Sequence, residues 1–277
     1  MNRAGLVAVL ALGVAGVGMA AGVAGPVEGF GGPPVAQESE GPEYNGQYAY
    51  VRLRYGESGS DLRNAPSMSY GRRGRGRGGG APWAHDWPRA ETNFSKILEA
   101  TTFIDVYTEG YSGRILTLAD PELFKYPVAT IIEVGNWRPS DEEVANLREY
   151  LLKGGFLIVD DTRDERGYEF QNFYSHMRRA LPEYEIQLVP DDHPVFNSFF
   201  NIEDPGSLAP PYGRYAATYL GIFEDNDPID GRLMVMINWN QDLQEYWEFS
   251  DQGYYPIDLS NEAYKFGVNY MIYSFTH

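Results

Sequence analysis

Several acids, amides and one histidine stand just after apolar runs, where an α/β protein usually does its chemistry. The run 128–134 ends beside Glu133 and delivers Gly135-Asn136-Trp137. The run 156–159 delivers Asp160, Asp161 and Arg163, and the run 233–237 delivers Asn238, Trp239 and Asn240. Asp191-Asp192-His193 follows the segment 185–189. In an open parallel sheet, ligands bind beyond the carboxyl ends of the strands. Parallel packing of these runs would gather Glu133, Asn136, Asp160, Asp161, Arg163, His193, Asn238 and Asn240 on one rim as candidate ligand-binding residues. Asp160, Asp161 and His193 form the sharpest group. Their oxygen and nitrogen atoms suit a divalent cation, or a carboxylate working with an imidazole in acid–base catalysis. In the plainer alternative each acts only locally. Asp160 then caps a turn or helix, Asp161 pairs with Arg163, and His193 orients the turn before Pro194.

The elements that must position these residues are legible from periodicity. Residues 48–55 (YAYVRLRY) alternate, which suits a strand with one wet face or an edge position. Residues 91–101 read as a helix with Phe94, Ile97 and Leu98 on one face, and residues 103–107 as a strand. Ser140-Asp-Glu-Glu143 is a capping box opening a helix that carries Val144, Leu147 and Leu151 and stops at Gly154. Residues 168–180 form the next helix, closed by Leu181-Pro182, and residues 185–189 the next strand. Ser260 is placed to cap a last helix with Ala263, Phe266, Tyr270 and Ser274 on one face. Strands separated by helices of this length imply right-handed crossovers and a mainly parallel sheet covered on both sides. The expected fold is therefore α/β, an open doubly wound sheet; there are too few βα units for a closed barrel.

The ends and insertions read differently. Met1–Arg3 followed by an apolar, Gly- and Ala-rich run to Ala24 has the layout of a cleavable signal peptide. An uncleaved anchor is the alternative, since the run approaches a spanning length. Export to the periplasm or the extracellular space is expected on either reading. Residues 25–47, rich in Gly, Pro and Glu, read as a disordered linker, and 48–277 as the folded domain. Within it, residues 56–82 read as a flexible insertion, with Arg72, Arg73, Arg75 and Arg77 spaced by glycines. The chain has 277 residues, no cysteine and a formal net charge of −17. No disulfide or cysteine-linked lipid anchor can form, and such an acidic body repels nucleic acid. Membrane contact is expected only if the leader is retained. No Gly-x-Ser-x-Gly, Walker loop or His-Glu-x-x-His is present, and no cofactor is expected.

YVRLRY (50–55), KYPVATIIEVG (125–135), GGFLIVDD (154–161), DHPVF (192–196), GRLMVMIN (231–238) and GVNYMIYSFT (267–276) together resemble a bacterial family, the domain of unknown function numbered 4159. The resemblance spans about residues 48–277, with the Arg/Gly insertion standing apart from it. It implies a flavodoxin-like fold similar to class I glutamine amidotransferases, and no established activity. Those enzymes use a cysteine nucleophile at a strand-to-helix elbow; this chain has none, so that chemistry is excluded.

Two functions follow from these readings. The first is an exported, non-catalytic module that binds a small molecule or an envelope protein through the strand-end rim. The second is a metal-assisted or acid–base hydrolase acting on an envelope or extracellular substrate through Asp160, Asp161 and His193. A weaker third is an interaction protein using a Tyr-rich surface.

Overall fold

Alternation along the first strand, β1 (Tyr50–Leu53), sends Tyr50 and Arg52 to one face of a sheet and Val51 and Leu53 to the other. All four side chains are buried, because β1 lies inside the sheet. A computed structural model describes residues 43–56, 81–110, 112–163, 167–213 and 215–277. The leader, most of the linker, and residues 57–80 of the Arg/Gly insertion lie outside the described residues.

The sheet has seven strands in the order β2-β1-β3-β4-β7-β6-β5. With β1 they are β2 (Gly113–Leu116), β3 (Val128–Ile132), β4 (Phe156–Asp160), β5 (Gln187–Leu188), β6 (Thr218–Phe223) and β7 (Leu233–Trp239). The first five in that spatial order pair in parallel, and β6 and β5 add an antiparallel edge. Counting only the parallel strands, the order is 2-1-3-4-5, that of a flavodoxin-like open sheet. The expected open, mainly parallel α/β fold is what the chain adopts.

Five α-helices cover it: α1 (Arg89–Thr101), α2 (Asp141–Leu152), α3 (Tyr168–Ala180), α4 (Leu243–Glu248) and α5 (Ile257–Thr276). One core contains Phe94, Leu98, Trp247, Phe266 and Tyr270 from α1, α4 and α5. The core on the other face contains Val144, Leu147, Leu151, Phe173 and Met177 from α2 and α3. Fully burying a side chain of this size stabilises by about 1.5–3 kcal/mol. The capping box forms: the Glu143 amide donates to Ser140 Oγ at 3.2 Å, and the Ser140 amide to Glu143 Oε2 at 2.9 Å. Gly154, at φ +104°, takes the left-handed turn that releases the chain toward β4. No described helix is long and apolar enough to cross a membrane.

Three local expectations are corrected. The 48–55 segment has no wet face: Arg52 is wholly buried, bonded to Glu91 and Gln244. Residues 103–107 supply only a single bridge from Val106 to Tyr48, with Phe103 fully exposed. The outer strand is instead β2, whose GRIL stretch is too short to show a period. Ser260 lies inside α5, which starts at Ile257 after Pro256, and its hydroxyl caps nothing.

Candidate functional site

The register of the sheet brings strand ends level. Ile132 pairs with Asp160, and Val159 with Ile237. Glu133 and Asp161 therefore leave adjacent strands side by side, with the Glu133 amide donating to the Asp161 carbonyl at 3.3 Å. Both take left-handed backbone, at φ +48° and +46°. Asp86 in the β1–α1 connection and Asn240 after β7 do the same, at +62° and +56°. Non-glycine residues in this region are uncommon and concentrate at functional sites. Tyr55 holds the turn after β3 by donating its hydroxyl to the carbonyls of Ile132 and Glu133. A Cβ at Gly135 would stand 2.6 Å from Cγ of Glu169, so only glycine lets α3 close on this turn.

The crevice between these ends lies where the β1 connection leaves toward β2 and the β3 connection toward β4, the usual ligand position in such sheets. His85 sits over it. Its Nδ1 is 2.7 Å from Asp161 Oδ2 and 3.8 Å from Glu133 Oε1, and its Nε2 is 3.6 Å from Asp86 Oδ1. Arg163 reaches in from the other side, at 3.1 Å from Asp161 Oδ1 and 3.3 Å from Asp242 Oδ2. Its guanidinium lies 3.4 Å from the ring centroid of Tyr212. Asp242 also caps α4, its Oδ1 accepting from the Glu245 amide at 2.9 Å.

Electrostatics follow from burial and crowding. Burial alone would lower the His85 imidazole, but the Asp161 hydrogen bond and the charges of Asp86, Asp161 and Glu133 outweigh it and raise its pKa to about 10. Burial, then repulsion from Asp161, pushes Glu133 up to about 8. The same two causes raise Asp242. Asp161 is held below the usual carboxylate range: burial opposes ionisation, and the His85 hydrogen bond and Arg163 charge overcome it. Asp86 is raised by burial, which His85 only partly offsets, with Asp161, Glu248 and Glu245 adding repulsion. Its side chain is fully buried, and neither carboxylate oxygen makes a hydrogen bond to a described residue. Glu248 presses close, but as an acid it could donate to Asp86 only while protonated.

The eight residues expected on the rim divide. Glu133, Asp161 and Arg163 converge on the crevice, and Asn136 stands beside it, its amide 3.5 Å from Glu133 Oε2. Asp160 and Asn238 turn inward and serve the fold. Asp160 accepts from Asn238 Nδ2 at 2.9 Å and from the amides of Leu243 and Gln244 at 3.0 and 3.1 Å. Asn238 accepts in turn from the Tyr270 hydroxyl. Asn240 joins the turn through its amide, which donates to Thr162 Oγ1 at 2.8 Å.

His193 is not on this rim, which corrects the grouping of Asp160, Asp161 and His193. Its ring packs on Phe223 and Tyr273, and Phe223 pairs with Leu233 at the start of β7. That puts it a strand's length away, roughly 20 Å for seven residues. The strand before it, β5, is antiparallel to β6 and so runs the same way as β7, but the chain turns at Pro190, whose carbonyl accepts from the His193 amide at 2.9 Å, and carries the ring back to Phe223.

Sequence reading missed His85, Asp86, Asp242 and Tyr212. His85-Asp86 sits beside the Arg/Gly segment, with no apolar run to announce a strand end. Among the described residues, three trios of acids and histidine could each surround a cation: His85-Glu133-Asp161, His85-Asp86-Glu245 and Asp86-Asp161-Asp242. Oxygen-rich sets of this kind suit hard divalent ions.

No curated protein matches the chain closely enough to count as a relative. A family model does match, over residues 69–275, more than half of the chain. It begins after β1 and takes in residues 69–80, so most of the Arg/Gly cluster lies within the matched span rather than apart from it. With its open sheet and strand-end crevice, this chain belongs to the family described as domain of unknown function 4159.

Proposed function

We propose that the protein is an exported, non-catalytic module that binds a cationic ligand in the crevice at the ends of β1, β3, β4 and β7. One observation carries this reading: among the described residues, Asp86, Glu133, Asp161, Asp242 and Glu245 converge there, with His85 and Arg163 set among them. A cation entering the crevice relieves carboxylate repulsion that burial intensifies. Side-chain exposure of 41% at His85, 27% at Arg163 and 21% at Glu133 gives it a way in. Export rests on the Gly- and Ala-rich leader. The left-handed turn through Glu133 into a short helical turn is a strand-to-helix elbow, which supports kinship with the amidotransferase-like fold.

The 2.7 Å contact between His85 and Asp161 favours a second reading, an acid–base hydrolase with His85 in place of His193. Binding is preferred over it on geometry. Nδ1 is committed to Asp161 at 2.7 Å and Nε2 points toward the Asp86 carboxylate at 3.6 Å, so the ring is held as a cation among acids rather than aimed as a base at a substrate.

The test uses the full chain in chelator, with thermal melts and calorimetric titration against primary amines, guanidines and quaternary ammonium compounds. At least one cation class should raise the midpoint, and Glu133→Gln should weaken it. Indifference to every cation class, or turnover of model esters or glycosides that His85→Ala abolishes, would overturn the proposal.

A further inference from the structure

We propose that Asp86, Asp161 and Asp242 bind a hard divalent cation beneath His85. The inference deepens the cationic-ligand reading and rests on it. Each aspartate offers one carboxylate oxygen, all three are buried, and these oxygens lie within 4.8 Å of one another. Oxygens that share one ion at 2.0–2.6 Å lie at most about 5 Å apart, so the set is compact enough for a single ion.

Asp86 gives the independent reason to expect an occupant. It comes from a different connection than the other two, its side chain is fully buried, and both oxygens lack a hydrogen bond while facing the trio. A buried carboxylate with no hydrogen bond, faced only at 3.6 Å by an imidazole nitrogen, is costly for a fold to retain. Asp161 and Asp242 are already engaged by Arg163 at 3.1 and 3.3 Å, yet each carboxylate has lone pairs left for a metal. Even with Arg163 and His85 beside them, the three carboxylates outnumber the cations, and a divalent ion held directly by their oxygens supplies the missing positive charge.

The competing trios fit less well. Each includes His85, whose Nδ1 is taken by Asp161 at 2.7 Å. In the trio with Glu245, that carboxylate also accepts from the Tyr255 hydroxyl at 2.8 Å. A set of oxygens alone selects calcium, magnesium or manganese over zinc or copper.

The experiment is calorimetric titration and thermal melting of the full chain, stripped with chelator, against calcium, magnesium and manganese chlorides. One ion should bind at one site per chain and raise the midpoint in proportion to the logarithm of its concentration. Asp86→Asn should weaken that binding by roughly 100-fold or more, since it removes a charged ligand. Asp242→Asn should do the same while keeping an N-cap, because asparagine caps as well as aspartate; it decides the matter if Asp86→Asn does not fold. Indifference to all three ions, or an undiminished response in both aspartate variants, would overturn the site. A protein that ignores metals but still binds an organic cation loses this inference and keeps the broader reading.

Discussion

Asp160 turns inward between β4 and β7, where an asparagine amide and two backbone amides of α4 fill its oxygens. Asp161, one residue later, takes left-handed backbone and turns into a crevice where a neighbouring acid, Asp86, has no hydrogen bond. The two regions share a strand end and a degree of burial, and they differ in satisfaction. Where every buried polar atom has a partner, the carboxylate is part of the scaffold. Where carboxylates outnumber donors, the fold holds something a ligand can relieve. The Arg52-Glu91-Gln244 group is mostly of the first kind, a buried ion pair closed by a side-chain amide.

The sharpest way to break this comparison is to truncate one member of each region. Asp160→Ala leaves Asn238 and two amides unsatisfied in the core and should cost about 3–5 kcal/mol in denaturant melts. Asp86→Asn, in chelator, should be neutral or stabilising, because burial and the nearby acids Asp161, Glu248 and Glu245 oppose its charge more than His85 favours it. A comparable loss at both positions would show that Asp86 has a structural partner and that the two regions do not differ. The second-largest effect is expected at Leu147, fully buried under α2. Leu147→Ala should cost about 2–5 kcal/mol by cavity formation and leave the crevice untouched.

How far each region was legible follows from periodicity. α2 and α3 were readable because a capping box, a Gly stop and i, i+3, i+7 apolar spacing agree with one another. The β3, β4 and β7 runs were readable because strands buried on both faces are nearly continuous apolar stretches. Strand-end logic therefore found Glu133, Asp161 and Arg163. It also placed His193 on the rim, because nothing in residues 185–189 says that the chain turns back at Pro190 and packs the ring on Phe223. It missed His85 and Asp86 because they follow β1 across a long insertion and precede α1, so no apolar run marks them. Arg52 was misread as solvent-facing for a related reason: alternation shows which residues share a face, and a buried partner such as Glu91 is invisible in one strand's pattern.

A pH series sharpens the electrostatic side of the comparison. In chelator, His85 raised from 6.5 to about 10 contributes stability that is full below pH 6.5 and is lost as pH rises toward 10. Glu133 raised from 4.5 to about 8 acts in the same direction between those values. Asp161, whose pKa is depressed, works oppositely: its contribution is present above about pH 4 and is lost as pH falls below that. The melting midpoint should therefore fall steadily from about pH 7 to pH 10, and His85→Gln should flatten that limb. An alkaline limb unchanged in His85→Gln would mean the imidazole is not charged against the acids around it.

The smallest expected effect separates the two ends of the sheet. His193 is 4% exposed, its ring lies between Phe223 and Tyr273, and its Nδ1 accepts from the Val195 amide at 3.1 Å. Burial, then the charge of His277, lowers its pKa to about 4. Its stabilising contribution is thus present above pH 6.5 and is lost as pH falls toward 4, the reverse of His85. His193→Ala gives up one capping hydrogen bond and some ring packing, so a loss of about 1–2 kcal/mol is expected at neutral pH. That loss should shrink toward pH 4, where the wild-type imidazole must itself be charged. Titrations of the variant with divalent ions and with amines should match wild type, because no crevice atom is within a strand's length of the substituted ring. Weakened binding of either ligand in His193→Ala, with the fold intact, would restore this histidine to the site and join the two ends of the sheet into one functional unit.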